Sequence, residues 1–235
     1  MKFSNRIGSR RNVALFAIVA LSGLVGSPSV VAQAAEPPSE LAELSATLTE
    51  FWEENGVGSA TIETLAAGVL QGNLPDAITL DVPPITSANV VIDGESRTTE
   101  TFPDGSITVS SVGPSNDSNA RGISGCVIST WTGVTYRTDC LVSGGNGAVS
   151  IYFHAAYTIQ HQGVDSIPNG GAQAGITCSP GSCSAPTRSH YVPTESTAGG
   201  AAQLSYSTNY NLAGVATATY RLTLTVGNNA ASSSF

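Results

Sequence analysis

Lysine is almost missing from this chain. Lys2 is the only one, and arginine brings the basic total to 9 against 17 acids. Phosphate-backbone binding rests on Lys and Arg neutralising phosphates, so nucleic acid is excluded as a partner. Anionic membrane surfaces are disfavoured for the same reason. Only 3 histidines are present, which leaves little material for a histidine-based metal site or proton relay. No phosphate loop and no dinucleotide fingerprint occur, so no cofactor is expected. Charged residues are 11% and aromatics 6% of the chain. Aromatics this sparse make the placement of each one informative.

What is present begins with an export-like start. Lys2, Arg6, Arg10 and Arg11 precede an uncharged, mostly apolar run from Val13 to Val25. That run is too short to span a bilayer comfortably. Ala32-Gln33-Ala34 fits a small-x-small cleavage site, so residues 1–34 are read as a signal peptide cut after Ala34. Ser9-Arg10-Arg11-Asn12-Val13 is similar in part to a twin-arginine signal, and either export route remains open. Removing the signal takes away four basic residues and no acid, which moves the formal net charge from −8 to −12. No second long apolar run follows. The expected product is therefore secreted or cell-wall associated, without a membrane anchor.

Four cysteines, an even count, suit a disulfide framework in an oxidising compartment. Each of Cys126/Cys140 and Cys178/Cys183 flanks a turn, which predicts local pairing. The first pair brackets two β-rich runs. If Cys126 and Cys140 face each other in a hairpin, the turn centres on Gly133 and the loop is Thr132-Gly133-Val134. Alternation then places Cys126, Ile128, Thr130, Val134, Tyr136 and Cys140 on a core face. Val127, Ser129, Trp131, Thr135 and Arg137 fall on the other. A zinc site is disfavoured because only one cysteine pair is close in sequence. No metal is expected.

Residues 35–80 read differently from the rest. Leu41, Leu44, Leu48, Phe51 and Trp52 recur at helical spacing behind Ser39, a capping residue, and Asn55-Gly56 ends the run. A second helix is expected from Ala60 to Gln71. Together they make a helical hairpin, which a linker at 81–86 joins to a β-domain at 87–227. In that domain, short alternating segments separated by Gly, Pro and Asn turns predict an antiparallel β-sandwich, with a closed antiparallel barrel as the alternative. Val149, Ile151, Phe153, Ala155, Tyr157 and Ile159 share one face of a long strand. Residues 228–235 read as a disordered tail.

Chemical motifs are mostly incomplete. Asp117-Ser118-Asn119-Ala120-Arg121-Gly122 starts like a calcium loop but lacks an oxygen ligand at Arg121 and an acid at Ile128. Gly122-Ile123-Ser124-Gly125 misses the nucleophile-elbow spacing and leads into a strand. His154 and His161 fall on opposite faces of one strand. His154 lies on the polar face with Tyr152, has a serine or Asp139 as candidate partners, and is expected at the surface. The acids Asp104, Asp117, Asp139, Asp165 and Glu195 sit mostly in turns, with no facing pair suited to glycoside hydrolysis.

Trp131 and Tyr136 are the ligand-contact candidates, since a flat ring matches the apolar C–H face of a sugar. Packing of Trp131 under a neighbouring element is the competing expectation. The reading that follows is an exported non-catalytic β-sandwich binding envelope polymer or another protein. A secreted hydrolase using His154, and a secreted inhibitor or toxin-like protein, are the alternatives.

Overall fold

The computed structural model describes residues 39–92, 94–113, 126–196, 198–212 and 214–235. The signal with its cleavage after Ala34, the calcium-like stretch and the elbow-like stretch lie outside them. Three helices come first: α1 (Ser39–Glu54), α2 (Ser59–Leu70) and α3 (Asp76–Thr79). The apolar stripe of α1 buries Leu41, Leu44, Leu48 and Trp52, while Ile62, Leu65 and Val69 do the same for α2. The short α3 was not anticipated. Pro75 starts it, and Leu80, in the left-handed region, ends it.

Among the described residues twelve strands follow, in two antiparallel sheets that do not close into a barrel. One sheet holds β1 (Thr86–Ile92), β2 (Glu95–Thr101), β3 (Ile107–Gly113), β4 (Val127–Trp131), β5 (Val134–Gly145), β6 (Val149–Gln160) and β7 (Ala172–Cys178). Its order is β1-β2-β3-β5-β6-β7. The short β4 lies beside the first half of β5, on the flank where β3 pairs the second half. The other sheet holds β8 (Ser182–Cys183), β9 (Thr187–Val192), β10 (Ala202–Leu212), β11 (Ala216–Gly227) and β12 (Ala230–Ser234). Its order is β12-β11-β10-β8, with β9 also on β10.

The two sheets meet over the faces that alternation selects. Ile151 and Phe153 of β6 oppose Leu204, Tyr206, Leu222 and Leu224, all buried. Phe153 and Tyr206 bring their rings to 4.8 Å across the gap. The opposite face of β11, with Thr217, Thr219 and Arg221, stays exposed, as antiparallel sheets permit.

The helices belong to this core and do not stand apart from it. Leu44, Leu48, Trp52, Val69 and Ile78 form one apolar cluster with the strand residues. Polar contacts repeat the connection. Tyr220 donates its hydroxyl to the Ile78 carbonyl at 2.6 Å, Asn146 donates its amide to the Ala77 carbonyl at 2.8 Å, and the Ser106 hydroxyl accepts from the Ala77 N–H. Burial pushes the phenol of Tyr220 well above its ordinary range and that of Tyr210 up to about 12. Both stay neutral donors, the second to the Pro180 carbonyl.

The tail expected to be disordered is ordered instead. Ala230–Ser234 adds to β11 as β12, and Phe235 stacks on Tyr220 with ring centroids 5.5 Å apart. Gly144 makes room for it, because a Cβ there would meet Phe235 and Leu222 within about 3 Å. Serine-rich strands carry a weak sequence signal, and burial of Ser233 together with stacking of Phe235 supplies what propensity does not.

Separating 86–228 from the remainder removes both the helices and Phe235. That fragment is expected to lose cooperative thermal melting and to bind hydrophobic dyes. A fragment that melts as sharply as the longer chain contradicts the shared core.

Candidate functional site

The β4–β5 hairpin carries the residues singled out from sequence, in a register one step from the expected one. Trp131 pairs with Val134, Ser129 with Tyr136 and Val127 with Thr138. The loop is therefore two residues, Thr132-Gly133, with Gly133 at φ +74°. The extra residue that the cysteine spacing requires sits elsewhere. Between Arg137 and Cys140 the β5–β6 register slips, and Asp139 adopts φ +55° there. This bulge rotates Cys140 into the buried core, where it bridges Cys126. Cys178 and Cys183 form the second bridge, and no cysteine is free. The two bridges suit an oxidising, non-cytoplasmic compartment.

The shift of register redistributes the side chains. Tyr136 leaves the expected core face and joins Val127, Ser129, Trp131 and Val134 on the outward one. Ile128, Thr130, Thr135 and Arg137 take the other. The adjoining strand continues these rows, placing Thr158, itself buried, beside Tyr136 and the half-buried Gln160 beside Val134. Trp131 is 78% exposed and Tyr136 47%. Packing of Trp131 under a neighbour is thus overturned. All five residues of β4 are exposed, so this hairpin projects past the sandwiched part of its sheet. Trp131 and Tyr136 are diagonal neighbours, about 7–8 Å apart by ordinary strand geometry.

The other face of the hairpin base is partly covered. The Arg137 guanidinium lies over the Tyr157 ring at 5.9 Å. Burial raises the Tyr157 phenol above its ordinary range, and the cation beside it offsets part of that rise.

His154 is 7% exposed, not the surface imidazole expected. Two bulges flank it. One is at Asp139 on β5 and the other falls where β6 meets β7, near Gln173 at φ +51°. Its Nδ1 stands 3.0 Å from Asp139 Oδ1, close enough for an ion pair if protonated, but without the alignment of a hydrogen bond. Among the described residues no hydroxyl is hydrogen-bonded to His154. The arrangement orients an imidazole against a carboxylate without engaging a nucleophile.

Of the remaining acids, Asp165 and Glu195 come together in a way that sequence did not foresee. Asp165 is buried, and its carboxylate accepts from the N–H groups of Gln160 and Asn229, while Glu195 accepts from Asp165 and Asn228. These bonds satisfy backbone donors at the β11–β12 turn and just beyond β6, a structural task. Asp104 likewise holds the N–H groups of Asp76 and Ser106. Among the described residues no group of three His, Cys, Asp or Glu side chains is placed to hold a metal. No described helix is long and apolar enough to cross a membrane.

No known protein family, curated protein or solved structure matches this chain.

Closing the loop between Cys126 and Cys140 contributes about 3 kcal/mol in the chain-entropy account. Replacing both by Ser is expected to lower unfolding free energy by about 2–4 kcal/mol and to speed amide exchange in β4. Unchanged denaturation and exchange would show that the bridge adds nothing to the bulge.

Proposed function

We propose that this protein is exported and acts without catalysis, binding a neutral polymer through the outward face of the β4–β5 hairpin. Envelope polysaccharide is the ligand class that fits best. The observation that carries the reading is the 78% exposure of Trp131 beside Tyr136 on a disulfide-closed hairpin. Trp131, Tyr136 and Val127 are exposed together on one face, and a contiguous exposed apolar patch marks an interaction site. The rows around it supply hydroxyl and amide groups from Ser129, Thr138 and Gln160, with no acid or base among them. A sugar needs this combination: an apolar surface for its C–H face and neutral hydrogen-bonding groups at the rim. The net charge of −12 after signal removal favours a ligand that is not anionic.

Sedimentation with insoluble wall polysaccharide is the direct test. Trp131→Ala is expected to weaken binding about tenfold or more, equivalent to about 1.4 kcal/mol, and leave the melting temperature unchanged. Equal binding by both proteins removes the platform.

A secreted hydrolase is the second reading, favoured by the 3.0 Å approach of His154 to Asp139. Any hydrolytic activity that the purified protein displays should fall at least a hundredfold in His154→Ala if this dyad is responsible. Retention of that activity sends the catalyst elsewhere.

A further inference from the structure

Among the described residues two strands are exposed at every position, the short β4 and the longer β1 at the outer end of the larger sheet. All seven residues of β1 are exposed, on both faces and along the outer edge. Val91 is 71% exposed, and Val90 and Ile92 are about half exposed or more. The cause is an overhang. The last strand of the smaller sheet, β12, packs over β2 and β3, and β1 lies one strand further out. Among the described residues β1 pairs only with β2. Alternate N–H and C=O groups therefore point away from the sheet with no strand to receive them.

Exposed edges are commonly kept single by Lys, Pro, an inward-facing charge or a bulge. Thr86-Ser87-Ala88-Asn89-Val90-Val91-Ile92 has none of these, and its pairing with β2 is regular throughout. It is also uncharged in a strongly acidic chain, so nothing in it attracts a basic partner. We propose that its occupant is β1 of a second copy, antiparallel about a two-fold axis at Asn89. This is the register that pairs all seven residues.

Charge placement sets no repulsion against that arrangement. Each cross-strand row now runs from one β2, through both β1 strands, to the partner's β2. Arg97 begins the row that ends at the partner's Thr99, Glu95 the row that ends at the partner's Thr101, and Ser96 the row that ends at the partner's Glu100. No row sets two charges of the same sign against each other. Within the seam Val90 meets the partner's Ala88, and Val91 meets the partner's Ser87. Small and β-branched residues of this kind suit a pleated surface. The interface is isologous, so it closes at two copies and does not propagate.

Sedimentation equilibrium of the exported chain tests this. A dimer is expected at micromolar to tens of micromolar concentration. Asn89→Lys sets two ammonium groups opposite each other at the axis and should raise the dimer dissociation constant at least tenfold, while at monomer concentrations the chain still melts cooperatively, with only the Asn89 bonds to Ser96 and Thr98 lost. Val91→Lys should weaken it in the same direction. Asn89→Cys should yield a covalent dimer on mild oxidation, because opposed Cα atoms lie about 4.5–5.5 Å apart, within the span of a disulfide. Trp131→Ala should leave the dimer intact, which separates this surface from the hairpin. A chain that stays monomeric at the highest concentrations, a dimer indifferent to Asn89→Lys, or Asn89→Cys that does not cross-link would each overturn the proposal. The first of these is also the result expected if β1 receives a strand from a different protein.

Discussion

Burial of one continuous apolar surface is the constraint on which every other feature depends. Each fully buried Leu, Ile or Phe contributes about 1.5–3 kcal/mol against a conformational entropy cost of comparable total size. Neither sheet reaches this balance alone. The larger one leaves β1 and β4 uncovered, and the smaller one has only β10 and β11 as long strands. The helices complete the enclosure. Leu48 and Phe51 pack on Gly147 at the β5–β6 turn, where a side chain would collide with them. The stability of the hairpin, the order of the C-terminal strand and the exposure of Trp131 are all downstream of that enclosure.

Much of this architecture was legible in the sequence. Alternation identified the inward face of β6, because period two is a strong signal when one side is buried. Helical spacing identified α1 and α2. What remained hidden shares a common cause, namely that local spacing cannot distinguish two ways of spending one residue. The Cys126–Cys140 separation demands an odd residue, and sequence assigns it to the loop at Gly133. The fold spends it on the bulge at Asp139 instead. A polar residue tolerates the left-handed region there, and the shift moves Tyr136 outward. Ala230–Ser234 was missed for another reason. Its pairing with β11 and the stacking of Phe235 on Tyr220 are tertiary effects without a local pattern.

The candidate site was partly legible. Trp131 stood out because tryptophan occurs twice in the chain and Trp52 is consumed by the core. Its exposure was not readable, since nothing local says whether another element covers it. His154 illustrates the reverse case. Its neighbours suggested a polar outer face, yet bulges on two flanking strands enclose it. A bulge leaves little trace in sequence when the residue that adopts it is neither Gly nor Asn.

The bond from the Tyr220 hydroxyl to the Ile78 carbonyl joins residues 142 positions apart. Its meaning extends beyond stability into time. Closing so long a loop costs entropy before any contact repays it, and chains rich in such contacts fold slowly. The helices can pack on each other and on the β5–β6 turn before the chain is complete, but α3 gains its bond from Tyr220 only once β11 exists. Until β11 is in place the Ile78 carbonyl lacks that donor, so the last step in seating α3 waits on the C-terminal sheet.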